Sequence, residues 1–164
     1  MFWTCGPKRP PTITSTMRSD PHMATTRTAT THWEGSLFEG AGKVTLESSG
    51  IGTYDVSWPS RAEEANGKTS PEELIAAAHS SCFSMALSNG LAKAGTPPTA
   101  LDTKAEVEFT PGTGITGIKL TVTGVVEGMS NDDFVAAAQA AKEGCPVSQA
   151  LAGTTITLEA SLAG

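Results

Sequence analysis

At 164 residues the chain is long enough for one domain with a real core and too short for two comfortable ones. A net charge of −6, a pI near 5.0 and the lack of any Lys/Arg cluster argue against electrostatic binding to nucleic acid or to an anionic membrane. The longest stretch without formal charge, 74–92, carries His79, Ser80, Ser81, Ser84, Ser88 and Asn89, which makes it too polar for a bilayer and points to a buried helix.

Residues 1–22 look foreign to the rest of the chain. They hold Pro7, Pro10, Pro11 and Pro21, and Lys8, Arg9 and Arg18 stand against Asp20, so the remainder bears −8. They are expected to be a flexible leader or an added extension, with Met23 as the functional start and 23–164 as the domain. Lys8, Arg9 and the prolines break any apolar signal core, so a cytoplasmic location is expected. In that compartment the three cysteines read as reactive, metal-binding or incidental thiols rather than a structural disulfide framework. Cys5 falls in the leader and is given no role.

Segments 25–38 and 42–47 are predicted to form a hairpin, with Val44 and Leu46 alternating against Lys43 and Thr45. A third strand is expected at 54–58, ended by Pro59, and then a polar loop over 60–70 that contains Arg61. Ser70, Pro71, Glu72 and Glu73 give a strong helix start, and Glu73 would complete a capping box. This helix should run to about Ala94 and stop at Gly95. Its apolar and small residues fall on nearly every face, which predicts a central helix surrounded by protein.

Two alternating strands come next, around 104–109 and 118–123. Ser130 caps a second helix that ends at Gly144, a short helix runs from Pro146 through Leu151, and a last strand spans 154–162. The expected class is α+β, mostly antiparallel sheet packed with two main helices.

Two thiols fall within these elements. Cys82 lies about three turns into the central helix, where burial disfavours the thiolate and the helix dipole no longer helps. Taken alone it reads more readily as a small core hydrophobe. A reactive Cys82 needs a cation from another segment: Arg61 is the candidate, with Glu72 able to hold it by a bidentate pair. Both residues equally suit plainer roles, a solvated loop charge and a helix-start carboxylate. Cys145, between Gly144 and Pro146, should occupy the N-cap of the short helix, facing free N–H groups that lower its pKa. His79 and Cys82, at i and i+3, could join Cys145 and a carboxylate in a zinc site, but only three ligand-type residues stand out, and His79 reads better as a core histidine with its hydrogen bond satisfied.

The stretch Ser70-Pro-Glu-Glu-Leu-Ile-Ala-Ala-Ala-His-Ser-Ser-Cys-Phe-Ser-Met-Ala-Leu (70–87) and the later Gly144-Cys-Pro-Val-Ser-Gln-Ala-Leu (144–151) closely resemble the OsmC/Ohr family of organic hydroperoxide reductases. The opening His32-Trp-Glu-Gly is similar to the OsmC start, and the likeness extends over 23–162. It implies an OsmC-like fold in an intertwined homodimer with active sites at the subunit interface. It also implies a peroxidatic Cys82, a resolving Cys145, an activating Arg61 and an orienting Glu72. Ohr-type members carry the arginine in the N-terminal strand region, where this chain reads Phe38-Glu-Gly-Ala-Gly-Lys and has none; Arg61 matches the OsmC-type placement. The implied partners are an organic hydroperoxide and a dithiol or lipoylated reductant, with no bound cofactor or metal, in oxidative or osmotic stress defence. Phe83 and Met85 are expected to line an apolar pocket beside the thiol. The alternatives are a lipid-binding module with bystander thiols and a zinc protein.

Overall fold

The computed structural model describes residues 24–163; the expected leader, Met23 as a start and Cys5 lie outside them. The described chain forms two three-stranded sheets and four helices. Strands β1 (Thr30–Glu34), β2 (Ala41–Thr45) and β3 (Thr53–Ser57) make an antiparallel meander in which Val44 faces Tyr54. The first strand is much shorter than 25–38, because the chain turns away after Glu34.

Short helix α1 (Trp58–Ala62) occupies the start of the predicted polar loop. Ser57 caps it, its Oγ accepting from the Ser60 N–H while the Ser60 Oγ accepts from the Ser57 N–H, and Pro59 sits in its first turn. Proline here opens a helix as well as ending a strand, since a first-turn residue has no N–H bond to lose.

Helix α2 (Pro71–Lys93) begins and ends where the sequence places it. Ser70 Oγ accepts from the Glu73 N–H at 3.2 Å, but the Glu73 carboxylate takes the Thr69 hydroxyl at 2.6 Å. Only half of the expected capping box forms. Gly95, at φ +87°, turns the chain out of the helix in a conformation that side chains disfavour.

Strands β4 (Ala100–Thr110) and β5 (Gly114–Val125) form a long antiparallel hairpin. Helices α3 (Asn131–Gly144) and α4 (Pro146–Ala150) then carry the chain to β6 (Ile156–Leu162), which pairs with β5 in parallel, as a helical crossover permits. The class is α+β, as predicted, with this one parallel pairing in a mainly antiparallel structure.

The core lies between the second sheet, α2 and α3. Phe83, Leu87 and Leu91 recur every fourth residue along one face of α2 and meet Leu120 and Val122 from β5 and Phe134, Ala138 and Ala141 from α3. Fully burying a side chain such as Phe83, Leu87 or Phe134 contributes about 1.5–3 kcal/mol. The opposite face of α2 is open: Ala77, Ala78 and Ser81 are exposed, and Met85 is 71% exposed. The expectation of a helix surrounded by protein therefore fails within a single chain. The first sheet does not cover that face, because it meets the rest of the described chain mainly through α1, a backbone bridge from Val56 to Thr69 and the side chain of Arg61.

Gly124 allows the closest approach in the core. A methyl group there would stand 2.5 Å from the Phe134 ring, which is fully buried and cannot swing away. Gly124→Ala is expected to lower stability by about 1–3 kcal/mol. A urea unfolding midpoint equal to the parent's would show that the ring yields.

Candidate active site

Glu72 lies in the first turn of α2, with its side chain only 8% exposed. Arg61, in the last turn of α1, spans the gap: its Nε reaches the two carboxylate oxygens at 3.0 and 3.2 Å, and its Nη2 reaches Oε1 at 2.8 Å. The guanidinium carbon lies 4.1 Å from the centre of the Phe109 ring, a cation–π contact. Phe109 comes just after an irregularity in the β4–β5 pairing at Glu108/Phe109, the kind of break that re-aims a side chain. Trp58 packs edge-on against Phe109 and against Phe38. The guanidinium is thus fixed on one side by charge and on the other by an aromatic face.

Cys82 and Cys145 lie side by side, each helping to set the other's acidity. Burial pushes the Cys82 thiol up, the Val147 N–H opposes this, and a hydrogen bond towards the Cys145 sulfur holds the proton on Cys82. Burial pushes Cys145 up as well, but it is outweighed there. The Ser148 N–H, the Cys82 thiol, the Ser148 hydroxyl and the Val147 N–H together bring Cys145 below the ordinary thiol value. Cys145 is the N-cap of α4, as its neighbours Gly144 and Pro146 predict, although its side chain makes no cap hydrogen bond. Cys145 is fully buried, whereas Cys82 keeps some exposure.

The sequence profile described as OsmC-like protein matches residues 64–159. The chain is 44% identical over 134 residues to the peroxiredoxin OsmC of Escherichia coli strain K12, an alignment covering 80% of this chain and 92% of that protein. The chain belongs to the OsmC family. The protein of the same name from Shigella flexneri matches equally well. Among solved structures, the organic hydroperoxide resistance protein OsmC of Legionella pneumophila superposes with a TM-score of 0.64 at 24% identity, over 85% of this chain and 98% of that one. The OsmC-like protein of Mycoplasma pneumoniae gives 0.66 at 12% identity, over 87% and 100%. At such identities these structures speak for the OsmC fold alone.

Of the four predicted site residues, this OsmC-family chain brings Cys82 to Cys145 and Arg61 to Glu72, but it does not bring one pair to the other. Glu72 and Cys82 are ten residues apart on one helix, about 15 Å along its axis. The groups that set the acidity of Cys82 are burial, Val147 and Cys145, and Arg61 is not among them. The expected pocket lining also fails: Phe83 is spent in the core and Met85 points away from it. An apolar hollow of about 360 Å³ lies instead over the first sheet beside Arg61, bounded by Trp33, Leu37, Val44, Val56, Trp58 and Leu74.

Sequence reasoning missed Phe109, Trp58 and Ser148, whose roles depend on contacts between distant segments. His79 meets its expectation only in part. It is fully buried and its Nε2 is 2.8 Å from Ser148 Oγ, but its Nδ1 has no partner. Among the described residues no three His, Cys, Asp or Glu side chains gather as a metal site.

The thiol pair should lose its protons in two steps, the first charge residing mainly on Cys145. Cysteine Cβ shifts followed by NMR against pH, with reduced protein labelled at that carbon, should move first for Cys145. A first step at Cys82 would contradict this order.

Proposed function

We propose that the protein is a cytoplasmic, thiol-dependent peroxidase that reduces organic hydroperoxides to alcohols through a Cys82–Cys145 disulfide cycle. The observation that carries the reading is the juxtaposition of two free thiols of unequal acidity, 63 positions apart in the chain. The relatives named peroxiredoxin OsmC support the class of reaction.

In this cycle the Cys82 thiolate attacks the distal peroxide oxygen, the O–O bond breaks, and the alkoxide leaves as alcohol after taking a proton. Cys82 becomes a sulfenic acid. The Cys145 thiolate then attacks that sulfur and expels hydroxide, which leaves as water once protonated. One hydroperoxide and two thiols thus become one alcohol, one water and one disulfide. An external dithiol, of the lipoyl kind carried by a protein or free, attacks at Cys82 and displaces Cys145, the better leaving group. The cycle requires no bound cofactor, and its place is in oxidative or osmotic stress defence.

Activation of Cys82 requires a cation, and its own chain anchors Arg61 to Glu72, which lies about 15 Å from Cys82 along α2. The exposed face of α2 and the hollow beside Arg61 favour a homodimer in which Arg61 and Glu72 of one copy face Cys82 of the other. The guanidinium then stabilises the thiolate and the charge developing on the peroxide oxygens, and the apolar hollow favours an organic substrate over hydrogen peroxide.

One equivalent of an organic hydroperoxide should remove two hydrogens from the fully reduced protein, mapped by mass spectrometry to a Cys82–Cys145 link. Cys82→Ser should abolish turnover, and Cys145→Ser should react once and then stall or over-oxidise. Full turnover by Cys82→Ser would refute the cycle. A dimer of one Arg61→Gln and one Cys82→Ser subunit, isolated by two affinity tags, should regain activity that both parent variants lack. If it stays inactive, the arginine does not act across the subunits.

A further inference from the structure

His79 takes no part in the disulfide cycle, yet it is fully buried at the point where α2 meets α4. Its Nε2 lies 2.8 Å from the hydroxyl of Ser148, itself buried, while Nδ1 finds no partner among the described residues. Ser148 is three residues beyond the N-cap Cys145, the spacing at which a cap side chain and the third helical residue face each other.

The unpartnered Nδ1 decides which way the protons point. A neutral imidazole carries its hydrogen on one nitrogen only. With the hydrogen on Nδ1, a buried N–H would be left without an acceptor, and the Ser148 hydroxyl would have to donate to Nε2. With the hydrogen on Nε2, Nδ1 keeps a lone pair, a lesser loss than an orphaned donor. The ring then donates to Ser148 Oγ and frees the hydroxyl proton for a different acceptor. Ser148 stands at the third position of the helix that Cys145 caps, and its hydroxyl is among the groups that lower the Cys145 pKa, so the freed proton has the Cys145 sulfur as its acceptor. Burial pushes the His79 pKa down, so the ring stays neutral and the arrangement is not lost to protonation near neutral pH.

We propose that His79 is a positioning residue for Cys145: its Nε2–H donates to Ser148 Oγ, and this turns the Ser148 hydroxyl proton onto the Cys145 sulfur. The relay His79–Ser148–Cys145 makes Cys145 the sulfur that carries charge and departs. It therefore directs an incoming dithiol to Cys82. This role rests on the two-cysteine reading for its use in turnover, but its effect on Cys145 exists in the resting, reduced protein.

The test is the Cβ titration of Cys145 in reduced full-length protein, together with the rate at which dithiothreitol reduces the disulfide. His79→Leu should move the Cys145 titration to higher pH and slow reduction about threefold or more. His79→Gln, which keeps an N–H near the place of Nε2, should restore the parent values. Ser148→Ala should act as His79→Leu does, and adding His79→Leu to it should bring no further change. If His79→Leu fails to fold, Ser148→Ala and His79→Gln still decide. A Cys145 titration unmoved in Ser148→Ala, equal shifts in the Leu and Gln variants, or additive effects in the double variant would overturn the relay. Because the titration involves no peroxide, failure of the peroxidase reading would leave this result standing, and the converse also holds.

Discussion

Burial of one face of α2 is the constraint on which the rest depends. Phe83, Leu87 and Leu91 commit that face to the second sheet and α3, and this fixes the rotation of the helix about its own axis. Glu72 and His79 then fall on the buried side, Cys82 at its margin and Met85 on the open side. One packing decision therefore sets where the arginine is anchored, where the histidine meets Ser148 and how far Cys82 is accessible.

The same constraint separates the charge from the sulfur. A straight helix cannot bring its first turn to its fourth, so the Arg61–Glu72 pair and the thiol pair remain two half-sites within one chain. The sheet that helps to frame Arg61 makes few links to the main core and presents an apolar hollow. The homodimer proposed above would cover both the open helix face and the sheet-side hollow.

Much of this architecture was legible in the sequence. Ser70, Pro71 and Gly95 mark the ends of α2 because caps and left-handed turns are local chemistry. Gly144, Cys145 and Pro146 mark the junction of α3 and α4 for the same reason. Alternation gave the strands of the second sheet their inward faces. What escaped was non-local. Glu73 turned to Thr69 rather than closing its box, and Pro59 opened a helix. Phe109 reached Arg61 only through a break in strand register, and Ser148 gained its importance from a histidine 69 residues earlier. The uniform scatter of apolar residues along α2 could not reveal which face a single chain would cover.

Cys145 lies within the connection from β5 to β6, and Cys82 lies in the helix against which that connection packs. A covalent bond between them would close a loop of some sixty residues, and in the chain-entropy account a closure of that size stabilises the folded state by about 4 kcal/mol. The oxidised protein would then be a stapled molecule, with its C-terminal segment tied to its central helix. Thermal or proteolytic resistance would track the redox state, so that exposure to oxidant itself hardens the protein until a dithiol releases it.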